Sequence, residues 1–139
     1  MNEQEIMTEM LGGREYAPRT LAVVGLSDDP SRVSYAVSAY MQEQGFRILP
    51  VNPGIASALG ERSYASLSEL PVRPDVVNVF RLPKFIPAIV DEMLALGLDN
   101  LWVQLGIRNE AAAQKAESGG IRVVMDRCIM VEHRRLVRS

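Results

Sequence analysis

The residues able to do chemistry gather in one turn, Gly25-Leu26-Ser27-Asp28-Asp29-Pro30-Ser31-Arg32. Thr20 to Val24 before it are β-branched or apolar, and an amphipathic pattern starts near Val33 after it, so the turn joins a buried parallel strand to a helix. A helix N-terminus leaves backbone N–H groups unpaired and carries partial positive charge, which stabilises a phosphate without a dedicated side chain. Arg32 is the only cation in the turn, and Asp28 and Asp29 are turn and N-cap formers. With one cysteine, Cys128, and one histidine, His133, no metal site of soft ligands can be assembled. No Ser/His/Asp or paired-carboxylate constellation is present either, which favours binding over catalysis.

The elements that must position this turn follow from periodicity. Glu3 to Leu11 predicts a short helix with Ile6, Met7, Met10 and Leu11 on one face, ended by Gly12-Gly13, and residues 1–15 are expected to pack as a lid on the sheet. Tyr16 to Arg19 leads into a strand over Leu21 to Gly25. The following helix has Val33, Ala36, Val37, Tyr40 and Met41 at helical spacing, with Gly45 as its stop. Phe46 to Val51 is the second strand; Pro50 inside it needs an unpaired side or a bulge, because it has no N–H to donate.

Ile55 to Leu70 is irregular, with a short strand around Arg62 to Tyr64 and a helical turn around Ser66 to Leu70. Asp75 to Phe80 is a strand, and a helix follows with Ile86, Ile89, Val90, Met93 and Leu94 on one face, Pro87 in its first turn and Gly97 as its cap. Leu101 to Leu105 is a strand whose Trp102 reads as core packing. Asn109 caps a helix over Glu110 to Ser118, Ile121 to Met125 is the last strand, and Cys128 to Leu136 is a terminal helix with a basic end. Glu132 and His133 in it read as solvated. The alternation predicts an α/β fold: a single Rossmann-like, doubly wound, mainly parallel sheet with helices on both faces, forming one domain over residues 1–139.

Composition excludes several partners. The chain has 139 residues, 47% hydrophobic and 23% charged, as for a globular protein. Its 15 Lys and Arg against 17 Asp and Glu give a formal charge of −2, with no basic cluster of the kind that nucleic-acid phosphates require. No stretch approaches the ~20 apolar residues of a membrane span, and the acidic start lacks a signal-peptide core, so the expected location is the cytoplasm.

Five segments fall at the carboxyl ends of the strands: Gly25 to Arg32, Val51 to Gly54, Phe80 to Pro83, Gln104 to Ile107 and Asp126 to Cys128. They are expected to meet at one crevice beside the first strand, where such sheets bind ligands. A dinucleotide site asks for a glycine series in the first turn and an acid about 20 residues later. Here Ser27 and Pro30 stand where glycines would, and Gln44 to Gly60 contains no acid, which disfavours NAD.

Taken in series, Gly25-Leu26-Ser27 with Pro30 and Arg32, Pro50-Val51-Asn52-Pro53, Leu59-Gly60-Glu61, Asp75-Val76-Val77 with Phe80-Arg81, Trp102 to Gly106, and Asp126-Arg127-Cys128 with Glu132-His133 resemble the small bacterial and archaeal CoA-binding proteins. They are similar, too, to the CoA-binding domain of the succinyl-CoA synthetase α subunit. The resemblance implies that Gly25, Leu26, Ser27 and Arg32 receive the CoA phosphates and that Val51, Asn52 and Pro53 border the adenosine. It also implies that Phe80, Arg81 and Pro83 lie beside the pantetheine, with Gln104 and Gly106 near its reactive end. Asp28 and Asp29 depart from the lysine- and glycine-rich turn of the synthetase, which puts the burden on Arg32 and backbone amides. The synthetase reaction needs a phosphorylated histidine on a second domain, so the expectation is non-catalytic binding of CoA or acyl-CoA.

Two other classes stay open at this stage. One is an enzyme in the same crevice, either an atypical NAD(P) reductase or an acyl-CoA ligase component completed by a partner chain. The other is a degenerate nucleotide fold used for association, as a homo-oligomer or with an acyl-CoA-handling partner. Arg81 reads equally as a phosphate contact or a surface ion pair. Cys128, beside Arg127 at the start of the last helix, reads either as a thiolate able to exchange with CoA disulfide or as a small core residue.

Overall fold

The computed structural model describes residues 1–13 and 17–138. The expected approach from Tyr16 and the end of the 1–15 segment therefore lie outside the described residues. In chain order the elements are α1 (Glu3–Met10), β1 (Thr20–Val24), α2 (Val33–Glu43), β2 (Arg47–Val51), β3 (Ser57–Ala58), β4 (Glu61–Arg62), β5 (Val76–Val79), α3 (Ile86–Leu96), β6 (Asn100–Val103), α4 (Glu110–Ser118), β7 (Arg122–Met125) and α5 (Ile129–Arg138). Five strands form a parallel sheet in the order β2-β1-β5-β6-β7, and β3 pairs with β4 in a small antiparallel hairpin. The doubly wound reading of the sequence is what folds.

Register explains why the strand ends can build a site. Val24 is level with Val51 and Val79, Val79 with Val103, and Val103 with Met125. All five strands thus release their loops from one edge. Winding outward from β1 in both directions opens a crevice between the loops after β1 and β5, the place where ligands enter sheets of this kind.

Alternation along each strand feeds two apolar layers. Leu21 and Val23 of β1 join Met7, Val37, Met41, Trp102 and Ile129 on the side of α1, α2 and α5. Ala22 and Val24 join Val79, Val90, Met93, Val103 and Ala116 on the side of α3 and α4. Trp102 is fully buried, and its Nε1 donates to the Arg127 carbonyl at 2.9 Å.

Four local expectations need correction. The buried stripe of α2 is Ser34, Val37, Ser38 and Met41, whereas Val33 is 69% exposed and Ala36 is on the surface. The helix is rotated because the Ser34 hydroxyl turns inward to accept the Ser27 N–H at 3.0 Å. The N-cap of α2 is Arg32, not an aspartate; Asp29 instead closes the turn by accepting from the Ser31 N–H and hydroxyl. The strand expected over Arg62 to Tyr64 is the second arm of the β3–β4 hairpin, with Tyr64 in a single bridge to Val51. Glu132 and His133 are buried, at 7% and 3% exposure, and do not face solvent.

Pro50 sits on the edge strand as its chemistry demands. The Tyr64 N–H donates to its carbonyl on the side away from β1, so the missing N–H also falls on that outer side.

Candidate functional site

A cavity of about 790 Å³ opens at the carboxyl ends of β1, β5 and β6. Of the five segments expected to share one crevice, three line it. Gly25, Ser27 and Arg32 come from the loop after β1, Phe80 and Arg81 from the loop after β5, and Gln104 from the loop after β6. The segments Val51 to Gly54 and Asp126 to Cys128 do not line it.

Gly25, just past β1, packs against the Phe80–Arg81 backbone just past β5. Its φ is +89°, and a Cβ there would lie 2.4 Å from the Phe80 carbonyl oxygen and 2.9 Å from Arg81 Cδ. Only glycine fits. The first turn of α2 follows with no side-chain cap, and Arg32, Val33 and Ser34 of that turn all face the cavity. Uncapped N–H groups and the positive end of the helix are therefore presented to the cavity.

Neither cation of the cavity makes a close ion pair with a carboxylate among the described residues, although Arg32 lies near enough to Asp29 to act on its charge. Arg32 is exposed, and the Arg81 guanidinium lies over the Phe85 ring at 4.1 Å and in no ion pair among the described residues. Asp29, in the same turn, does not line the cavity, and its carboxyl is held below the usual range first by the Ser31 N–H, then by the Ser31 hydroxyl and the nearby Arg32.

The expected residues that do not line the cavity hold its walls. Leu26 is fully buried and Val51 is 4% exposed, both as core. Asn52 Nδ2 donates to the Leu26 carbonyl at 3.0 Å, while its Oδ1 accepts the Gly54 N–H at 2.8 Å. Pro53 is at the surface next to it. The Pro83 carbonyl accepts from Asn109 Nδ2 at 3.0 Å, and Asn109 Oδ1 caps α4 at Ala112. Cys128 is half-buried against the α1–α2–α5 apolar layer.

Gly106, with φ +86°, donates its N–H to Asp126 Oδ1 at 2.7 Å, and Asp126 Oδ2 takes Arg108 Nη1 at 3.1 Å. Asp126 itself has φ +63°, and its carboxyl is held low by the Gly106 N–H first and by Arg108 second. Sequence reasoning put Asp126 at a strand end but missed its bonds to Gly106 and Arg108, and it missed the second bond of Asn109. The signal available was their place: each is a short polar side chain at a strand end or helix cap, within reach of the neighbouring loop.

Among the described residues no group of His, Cys, Asp and Glu is placed to hold a metal, and no helix is long and apolar enough to cross a membrane.

Comparison with known proteins gives the family. Over 115 residues the chain is 44% identical to YneT of Bacillus subtilis, covering 83% of this chain and 85% of that one. It is 26% identical over 125 residues to the alpha subunit of ADP-forming acetate–CoA ligase II of Pyrococcus furiosus, covering 82% of this chain and 27% of the subunit. It thus spans about a quarter of the ligase subunit's length. A solved Thermus thermophilus structure, cell-free ID.343, superposes with a TM-score of 0.87 at 40% identity, over 98% of this chain and 99% of that one. The family described as CoA binding domain matches residues 19–134, the span that runs from the entry to β1 into α5 and contains every loop of the cavity. The chain belongs to the CoA-binding domain family.

Proposed function

We propose that the chain binds coenzyme A or an acyl-CoA in this cavity and does no chemistry on it. The observation that carries the reading is the pair Arg32 and Arg81, two cations lining one cavity, neither of them in a close ion pair among the described residues. An anionic ligand supplies the missing charge, and the uncapped start of α2 adds N–H donors for its phosphates.

On this reading the phosphates lie over Gly25 to Ser27 and Arg32, and the adenosine runs toward Asn52 and Pro53. The pantetheine passes Phe80, Arg81 and Pro83, and the sulfur arrives near Gln104 and Gly106. Cys128, packed in the apolar layer, takes no part. The non-catalytic half of the reading is supported by where the titratable groups are held. His133 of α5 is turned onto Tyr40 of α2, and Glu132 is bound to Arg135 at 3.1 Å.

Calorimetry against CoA and NAD tests the reading. CoA should give saturable heat and NAD none, since the first turn lacks the glycine series and the end of β2 lacks a ribose-binding acid. Tight NAD binding without CoA heat would sink it.

The similarity to an acetate–CoA ligase alpha subunit favours a second reading, a CoA-binding component that is completed by a partner chain. It predicts acyl-CoA turnover with ADP and phosphate once that partner is added, and none with this chain alone.

A further inference from the structure

We propose that the complete ligand is a CoA thioester with an apolar acyl chain. Gln104 Nε2 donates to the thioester carbonyl, and the chain lies against Leu82, Phe85, Leu105 and Ile107. This rests on the CoA reading above and names the acyl class that it leaves open.

Gln104 is 4% exposed and still lines the cavity. Its Oε1 faces two donors, the Ile129 N–H at 3.3 Å and Asn78 Nδ2 at 3.5 Å. A flipped amide would set donor against donor, so the network determines which way the group is turned. Nε2 is then left with no protein acceptor among the described residues, and it is open to the cavity rather than sealed in the core, so it can donate to a ligand there. A carbonyl oxygen arriving through the cavity satisfies it.

The apolar wall is the second, independent observation. Eight large hydrophobic side chains are exposed among the described residues, and four of them, Val33, Leu82, Phe85 and Leu105, line this one cavity. Scattered exposed hydrophobics need no explanation, but a cluster lining a cavity does. The cavity is also divided by chemistry: the loop after β1 offers Ser27, Ser31 and Arg32, while Leu82, Leu105 and Ile107 come from the loops after β5 and β6. Leu105 follows Gln104 directly in the chain, and Ile107 comes two residues later. Pantetheine is rich in amides and covers little of such a wall. An alkyl chain that begins at a carbonyl on Gln104 covers it.

Titration calorimetry of the full chain tests this with free CoA, acetyl-, butyryl-, hexanoyl- and octanoyl-CoA, and with S-octyl-CoA, a thioether that keeps the chain and lacks the carbonyl. Affinity should rise about two- to four-fold per methylene over the ladder. Octanoyl-CoA should exceed S-octyl-CoA by about five-fold, the worth of one net hydrogen bond. Gln104→Glu keeps an acceptor for Ile129 and Asn78 but loses the donor, and should erase the thioester preference while the chain-length slope stays. The double variant Leu82→Ser/Leu105→Ser should flatten the slope; both leucines are 63% exposed, so the fold tolerates it.

A flat ladder with free CoA still bound overturns the inference and leaves the CoA reading standing. Equal affinity for octanoyl-CoA and S-octyl-CoA overturns the role of Gln104, and this comparison needs no variant. A slope that survives the double variant overturns the placement of the chain. A ligand-free dimer that the double variant makes monomeric assigns the wall to a second copy and overturns the inference as well. No heat with any CoA compound removes the CoA reading and this inference together.

Discussion

Asn52 Nδ2 reaches across 3.0 Å to the Leu26 carbonyl, so the loop after β2 holds the loop after β1 in place. Its Oδ1 meanwhile closes its own turn on the Gly54 N–H. Asn52→Ala removes both bonds and should cost about 1–2 kcal/mol of stability in urea denaturation. CoA affinity should fall several-fold in calorimetry, because the phosphate turn loses its fixed position. A variant that loses stability yet binds CoA as the wild type does would show that the turn holds itself.

Gly25 tolerates no side chain. A Cβ would meet the Phe80 carbonyl at 2.4 Å in a left-handed conformation, so Gly25→Ala should destabilise by about 2–4 kcal/mol. That corresponds to a fall in Tm of roughly 10 °C. An unchanged Tm would mean that β1 and β5 separate at no cost.

Arg32→Ala should weaken CoA about ten-fold while pantetheine binding changes little, since a charge-assisted bond to phosphate is what it removes. The helix should barely notice, because Arg32 caps α2 with its backbone and not with its side chain. Asp29→Asn should act in the opposite direction: its carboxyl, held ionised by Ser31, repels the same phosphates. Equal losses for CoA and pantetheine in Arg32→Ala would place its effect in the fold.

His133 gives the protein a pH dependence. Tyr40 Oη lies 2.8 Å from its Nδ1, Phe46 meets the ring edge-on at 5.6 Å, and burial pushes its pKa below 6.5. The folded value is the lower one, so the unfolded chain binds the proton first as pH falls. Stability should be level above pH 6.5 and decline as pH drops below it toward the folded value. His133→Gln keeps a hydrogen-bonding group for Tyr40 without titrating and should flatten that stretch of Tm against pH. A parallel decline in both proteins would place the titration elsewhere.

The order of strands and helices was legible because each apolar run is long enough to show its period, as in α3 and α4, whose bounds the sequence reading met closely. The hairpin of β3 and β4 was not, since two residues per arm show no alternation. The face of α2 was misread because Val33 looks like core while Ser34 and Ser38 do not; a hydrogen bond to Ser27 decides the rotation, and hydropathy carries no trace of it. His133 was misjudged because it stands next to Glu132, a residue type rarely buried. Yet Ile129, Glu132, His133 and Leu136 share one stripe of α5, and that spacing was on the page. The candidate site was legible as a set of strand ends, but not the division between residues that face the cavity and those that brace it, since both kinds are short polar residues in turns.

Pro50 has one more consequence, for the protein in a crowd. An open sheet invites a strand from another molecule to add at its edge, the first step toward aggregation. On the outer side of β2, Tyr64 already takes the Pro50 carbonyl and the Asn52 N–H, and the proline ring withholds the donor that an incoming strand would need next. At the opposite edge β7 opens with Arg122, tied to Glu9 of α1. One edge is blunted by a ring and the other by a charged pair, so a refolding chain at high concentration has few places at which to template a neighbour.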